Sequence, residues 1–493
     1  MASTRTTTIP SWPEAARRLP DAARLAALAL AALAFEALLA RGVAGEGLSK
    51  PILLFAGVAA VAFVLRFPMA TALVFVGLTD FVFYPTFFAF ELGPLSVRPH
   101  ELALVGLLFL SVVRPQRRSW GGGAGFALAA FLGILALAGA LAVSDGRAPL
   151  GDVFSWGRPF ALLTFFYVVV RLFPQPEQRR LLLTGAAVLA AISGVVALFV
   201  ALGAGFGDTL AGAGETIVKE EEGAAGLLRV RLAGLSVAYA LFWYVAVRAA
   251  TAKTGRRAAW ALALAGMALA VAISFNRNMW LGLIAGLALM MVVGGPFVRS
   301  RLTVAIVVSV AAIALLASFG SATDSRVLDP VVQRGSTLLN PSKVEASNSL
   351  SDRERETRIA WPKAQENAVI GIGPGVDFGV YNFEFAGPHS IKVETQLFLH
   401  NQYLYLLLIC GLPGLIAFVA FLGIPILHSF RRTPTDPAIT ACGVGIAMIM
   451  ISSIVAIYFS VEDMTAILGL LTGVIVADRE GRASDRLDSG LAG

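Results

Sequence analysis

Leu404-Tyr-Leu-Leu-Leu-Ile-Cys-Gly-Leu-Pro-Gly-Leu-Ile-Ala-Phe-Val-Ala-Phe421 is a stretch without a single charged residue, and it follows directly on Leu399-His400-Asn401-Gln402-Tyr403, the end of a long polar segment. An uncharged apolar run approaching the roughly 20 residues that cross a bilayer reads as a transmembrane helix. Similar runs recur along the chain, with about fourteen candidates centred near Leu30, Ala59, Val76, Leu107, Gly133, Phe166, Ala190, Tyr239, Leu264, Ala285, Val310, Ile416, Ala447 and Leu470. The four earliest and the last are the weakest of these, which gives a range of about twelve to fourteen. The 493 residues are 57% hydrophobic and only 14% charged, with a mean hydropathy of +0.76, a balance too apolar for a soluble enzyme. The expected fold is an all-α polytopic membrane protein.

The formal charge of +7 is modest for this length and marks loops on one membrane face, with no nucleic-acid partner. Cys410 and Cys442 both fall in apolar segments, so neither a structural disulfide nor a Cys-ligated metal is expected, and no histidine cluster offers a metal site. Arg5, Arg17 and Arg18 precede the first apolar run and read as the flank of an uncleaved signal anchor. Basic residues then recur after alternate spans: Arg114, Arg117 and Arg118; Arg171, Arg179 and Arg180; Arg248, Lys253, Arg256 and Arg257; Arg299 and Arg301; Arg431 and Arg432. Basic loops stay on the cytoplasmic side, so both termini are expected there. The segments facing outward are then Ser144–Arg158, Gly203–Arg231, Asn276–Asn278, Gly320–Leu399 and Ser460–Asp463.

The chain divides accordingly. Residues 1–23 form a cytoplasmic N-terminus, 24–319 a helix bundle, 320–398 a large extracytoplasmic loop containing short helices, 399–477 further transmembrane helices, and 478–493 a polar, disordered cytoplasmic tail. The loop is expected to cover an outward cavity as a lid, with a lateral opening between the spans beneath it.

The outward segments carry the candidate chemistry. Arg277 sits in Ser274-Phe-Asn-Arg-Asn-Met-Trp280, a connection so short that its guanidinium lies at the membrane surface. An arginine there either snorkels to the interface or binds an anion. Arg229 and Arg231 precede the next apolar run in Arg-Val-Arg-Leu-Ala-Gly234. In the loop, Ser351-Asp-Arg-Glu-Arg-Glu-Thr-Arg-Ile-Ala-Trp-Pro362 has Ser351 or Asp352 as a helix cap and sets Arg355 and Arg358 one turn apart, with Trp361 one turn beyond Arg358. An ordinary pair of Glu354 with Arg358 on a solvated helix is the alternative reading. Ile370-Gly-Ile-Gly-Pro-Gly375 lacks the full dinucleotide fingerprint and reads as a tight backbone turn. His400 is the candidate proton acceptor, because imidazole, with a reference pKa of about 6.5, is largely neutral near pH 7. His100, His389 and His428 read as structural or solvent-exposed.

Taken in order, Arg231-x-x-Gly234, the Arg277 hairpin, Arg358-x-x-Trp361, the Gly371–Gly375 turn and His400-Asn-x-Tyr-Leu followed by Gly411-Leu-x-Gly414 resemble the O-antigen ligase and polysaccharide polymerase superfamily. The motifs cover the chain from about Arg231 to about Leu415; the hairpin departs from the family in reading Phe-Asn-Arg-Asn where Ser-Arg-Gly is more usual. The resemblance implies a membrane glycosyltransferase of the C-type fold in a bacterial cytoplasmic membrane. Such an enzyme moves a glycan from undecaprenyl diphosphate to an acceptor sugar, a glycan chain or lipid A core, with inversion and without cofactor or metal. Its diphosphate leaving group suits guanidinium ligands, which keep their charge and bind oxygens bidentately. Arg277 and Arg358 are the first choices and Arg231 the third. His400 is the expected general base, Asn401 its orienter or a ligand of a substrate hydroxyl, and Tyr403, Trp361 and Arg355 further substrate contacts. A lipid-linked oligosaccharide flippase is the alternative. It would place ionisable or Gly/Pro-broken sites near mid-membrane and show repeat symmetry, whereas here the charges gather at one mouth.

Overall fold

The computed structural model describes residues 63–80, 90–92, 95–201, 234–274, 276–303, 348–384, 391–395, 397–431 and 436–490. The span centres Leu30, Ala59 and Val310 lie outside these residues, as does Arg231. The other eleven centres each fall on a helix. The order is α1 (Pro68–Asp80), a short hairpin β1 (Phe90–Leu92) and β2 (Leu95–Val97), α2 (Pro99–Val113), α3 (Gly122–Ser144), α4 (Leu150–Ala161), α5 (Phe165–Leu172), α6 (Pro176–Ala201), α7 (Leu235–Thr251), α8 (Thr254–Ile273) and α9 (Arg277–Val293). Then come α10 (Asn348–Glu366), the hairpin β3 (Val380–Glu384) and β4 (Ile391–Thr395), α11 (Gln402–Phe430), α12 (Pro437–Ser452) and α13 (Glu462–Gly490).

By length and composition, α3, the rod Leu150–Leu172 and α11 are able to cross a membrane, and α1, α2, α7, α9 and α12 are shorter apolar helices. Large apolar side chains stand exposed on the bundle's surface, among them Phe109, Phe126, Leu262 and Ile416. A surface of that kind is suited to lipid and not to water. The chain is an all-α polytopic membrane protein, and among the described residues its strands are confined to two small antiparallel hairpins.

Packing follows the distribution of apolar residues around each helix. From Met464 to Ala477 α13 is apolar or small on every side and buried throughout, so it lies inside the bundle against α5, α7, α11 and α12. Helices α3 and α11 pack together through Phe131 and Phe418, with Phe160 of α4 against Phe131 and Phe459, before α13, against Phe418. Asp436 caps α12 by accepting from Ala438 N–H at 3.1 Å, and Pro437 opens the helix at a position whose N–H would be spare in any case.

Charged groups gather at the two ends. At one, Arg179 meets Asp478 at 3.2 Å and Arg482 meets Asp478 at 3.1 Å, while the guanidinium of Arg171 lies 3.6 Å above the Trp120 ring. These contacts carry α13 past Asp478 as helix to Gly490, where the sequence suggests a disordered tail. At the other end Glu462, the first residue of α13, pairs with Arg98 and with the buried His100, and Arg158 of α4 meets Glu101 of α2 at 2.9 Å. Glu462→Ala would leave Arg98 and His100 facing an empty position, and breaking a buried pair by removing one partner costs about 3–5 kcal/mol. A clear fall in the apparent melting temperature of the purified protein is expected.

The described part of the 320–398 segment, read from sequence as containing short helices, holds one 19-residue helix, α10, and the β3–β4 hairpin. It is fastened by an exchange of backbone hydrogen bonds with α11. Pro413 has no N–H, and Leu412 N–H donates to Ala368 O at 2.7 Å instead of to Leu408 within the helix. The carbonyls of Leu408 and Ile409 are thereby freed, and they accept from Ile372 N–H (2.8 Å) and Gly373 N–H (3.1 Å). Gly411 makes the break, at φ 67°, ψ −178°. Gly371 is left-handed too, at φ 85°, and a Cβ there would stand 2.4 Å from the carbonyl carbon of Ile409. The tight turn read from Gly371–Gly375 and the Gly411-Leu-Pro-Gly414 motif are two sides of one joint.

Candidate active site

Beyond that joint α10 extends to the start of α11. Its buried stripe is Glu356, Ala360 and Ala364, four residues apart, while Glu354, Arg355, Arg358 and Trp361 point away from the protein. Glu356 is only 4% exposed, and it reaches His400 with both oxygens. Oε2 accepts from His400 backbone N–H at 3.0 Å, and Oε1 lies 2.8 Å from His400 Nδ1. Arg353 is on the same side of α10. Burial lowers its guanidinium from the ordinary arginine value, and the charge of Glu356 opposes that shift, as does Tyr458. An ionised carboxylate buried here therefore has a cation beside it and two hydrogen bonds on it, the conditions under which a buried charge is tolerated.

His400 is held from the other side as well. Asn401 caps α11, its Oδ1 accepting from Leu404 N–H at 3.1 Å. The fully buried Gln402 donates from its backbone to Ser453 O at 3.0 Å and from Nε2 to Leu399 O at 2.6 Å, and its Oε1 accepts from Ser460 Oγ at 2.5 Å. The turn containing Ser453 also meets the Arg277 hairpin: Asn276 caps α9 through Asn278 N–H (3.1 Å), and Asn278 Nδ2 is 3.5 Å from Val455 O. One turn thus ties the start of α9, which carries Arg277, to the start of α11, which His400 precedes by two residues. From α4, Trp156 stacks on Phe398 at 6.3 Å and 18°, and Phe398 stands edge-on to the His400 ring at 5.9 Å. The imidazole remains about one-third exposed (32%), so a solute can reach it.

The candidates from sequence fall into three groups. His400 stands at this mouth, the side chain of Asn401 is taken up by the α11 cap, and the start of α9, which carries Arg277, is tied to the same place through the turn containing Ser453 and Val455. Arg358 makes an exposed pair with Glu354 at 2.8 Å, the solvated-helix alternative, and Arg355 and Trp361 share its outward face. Tyr403 turns inward, its hydroxyl donating to Met450 O at 2.8 Å and its ring edge-on to Phe459, so that it fastens α11 to α12. Glu356, Arg353 and Trp156 are additions. The spacing of Ala360 and Ala364 was the available signal for Glu356, because one further step of four along that stripe arrives at it. No local signal existed for Trp156, which reaches the mouth through the packing of α4.

An apolar groove of about 570 Å³ runs between α3 and α11, lined by Phe126, Ala130, Ile134, Leu412, Ile416 and Ala420. It begins at the α11 break, beside the joint that holds α10. Fold and site together define a polytopic membrane protein with ionisable groups at both ends and an accessible histidine at one of them. Residues 261–419, about a third of the chain, match the family model for O-antigen ligase. The match runs from within α8 to within α11, takes in Arg277, Arg353, Glu356, the Gly371 turn, His400 and Gly411, and supports the O-antigen ligase and polymerase superfamily for this chain. No curated protein matches it.

Proposed function

We propose that the protein is a glycosyltransferase that moves a glycan from undecaprenyl diphosphate to an acceptor sugar hydroxyl, at the outer face of the bacterial cytoplasmic membrane. The observation that carries this reading is the accessible imidazole of His400, tied through one turn to the helix start that bears Arg277, inside the segment that matches O-antigen ligase. The acceptor hydroxyl gives its proton to His400 Nε2 as its oxygen bonds to the anomeric carbon. The bond from that carbon to the diphosphate oxygen breaks on the opposite face, so the centre inverts. The electron pair leaves with undecaprenyl diphosphate, and Arg277 meets the growing negative charge.

Hydrophobic matching supports the same assignment, because the apolar groove between α3 and α11 suits the isoprenoid chain of the carrier and reaches the level of the joint. The distribution of charge supports an outward mouth: the end opposite His400 carries Arg117, Arg171, Arg179 and Arg482, the pattern of a cytoplasmic face. Addition of O-antigen to lipid A core, during lipopolysaccharide assembly, and polymerisation of a glycan share this chemistry.

The test is transfer by the purified protein in nanodiscs from an undecaprenyl-diphosphate oligosaccharide, with and without lipid A core. Product only with core means ligation, and a ladder without core means polymerisation. Arg277→Ala is expected to lower kcat/KM by roughly 10²-fold, as for loss of one ligand of transition-state charge. Absence of transfer under both conditions would overturn the reading.

A further inference from the structure

We propose that Glu356 is a positioning residue for His400: it fixes the imidazole as the Nδ1–H tautomer and leaves Nε2 as the atom that takes the acceptor's proton. This rests on the glycosyltransferase reading above and adds a second residue to its proton transfer. An ionised carboxylate only accepts hydrogen bonds, so its contact with Nδ1 at 2.8 Å requires the ring proton to sit on Nδ1. The other oxygen accepts from the backbone N–H of the same residue at 3.0 Å. Ring and main chain of His400 are therefore held by one side chain that is itself buried to 4% exposure on the packed stripe of α10. Arg353 on α10 interacts electrostatically with Glu356, and also with Tyr458 from the segment before α13. Arg353 offsets the buried charge without competing for Nδ1.

A purely structural role, stapling α10 to the start of α11, would use the same two contacts, and an amide separates the two cases. In Glu356→Gln one of the two acceptors becomes a donor. With the amide oxygen on the backbone N–H, its NH2 faces Nδ1 and selects the Nε2–H tautomer, which accepts no proton at Nε2. With the oxygen on Nδ1–H, two donors oppose each other at the main chain. The amide preserves shape and removes the tautomer control.

The experiment measures kcat and KM for wild type, Glu356→Gln, Glu356→Asp and His400→Ala, together with ¹⁵N spectra of the histidine-labelled full-length protein in nanodiscs. Only four histidines are present, and the signals absent from His400→Ala identify the one of interest. The expected results are the Nδ1–H tautomer in wild type, a kcat lower by about 10²–10⁴-fold in Glu356→Gln with KM changed less than about threefold, and partial recovery in Glu356→Asp. The Nε2–H tautomer in wild type would overturn the proposal even if Glu356→Gln failed to fold. So would a Glu356→Gln enzyme within about threefold of wild-type kcat; if His400→Ala is inactive in that experiment, the general-base assignment survives and only the positioning role falls. An active His400→Ala takes down both.

Discussion

His400→Ala is expected to reduce glycan transfer by about 10²–10⁴-fold, the range for loss of a positioned general base, with the protein still folded. The expectation of intact folding comes from the way His400 is held. Its side chain is about one-third exposed; alanine keeps the backbone N–H to Glu356 and loses the Nδ1 contact to Glu356 and the ring contact to Phe398. The cap at Asn401 and the three hydrogen bonds of Gln402 lie outside the substituted side chain and still seat the start of α11. The deficit should therefore fall on kcat, because the imidazole acts where the hydroxyl loses its proton and adds little to ground-state binding. Turnover measured at saturating donor checks this, with the melting curve as the control for folding. Wild-type turnover in the variant would remove the proton-acceptor role.

Much of the architecture is legible in the sequence because the bilayer imposes a length and a polarity on every span. The centres at Gly133, Phe166 and Ile416 correspond to the three helices long and apolar enough to cross, and eight other centres fall on helices. The course of α13 beyond Asp478 is less legible: the segment is polar and carries glycine and serine, and its helix is held by ion pairs to Arg179 and within the turn to Arg482, partners far away or invisible to composition. The β3–β4 hairpin is hidden for a related reason. Val380–Glu384 and Ile391–Thr395 are five residues each, short enough for periodicity to say little.

The site divides the same way. The helix starts beside Arg277 and His400 are legible because polar residues flanking an apolar run mark a boundary, and Asn276 and Asn401 cap the two helices there. The run Arg353 to Arg358 is different, since every residue in Arg353-Glu-Arg-Glu356 is charged and composition alone does not say which charges face inward. The helical phase decides it: Ala360 and Ala364 mark the buried side and carry Glu356 with them, while Arg358 and Trp361 lie on the opposite side. Pairs related by packing, Trp156 with Phe398 above all, come from segments some 240 residues apart and leave no trace in local spacing.

The other large effect is expected from Gly411→Ala, at a position far from any proton transfer. The backbone at φ 67°, ψ −178° belongs to glycine, and holding another residue there costs about 1–3 kcal/mol. The added Cβ would also stand 2.5 Å from Val369 O and 2.6 Å from its carbonyl carbon, both backbone atoms of the segment that must approach closely. Backing away breaks the bond from Leu412 N–H to Ala368 O and withdraws Ile372 and Gly373 from the carbonyls of Leu408 and Ile409. Leaving such buried groups unpaired costs about 1–3 kcal/mol each. A loss of about 4 kcal/mol or more is expected, enough to release α10 from α11. Because α10 carries Glu356 and α11 begins beside His400, the site would come apart with the joint. The control is Gly423→Ala in the same helix, where an added Cβ meets nothing within 4 Å and alanine is the better helix former. Thermal unfolding of the two variants should separate them widely, Gly423→Ala matching or exceeding wild type. Equal melting of both would mean that the exchange of backbone hydrogen bonds between α11 and the Gly371 turn does not hold the mouth together.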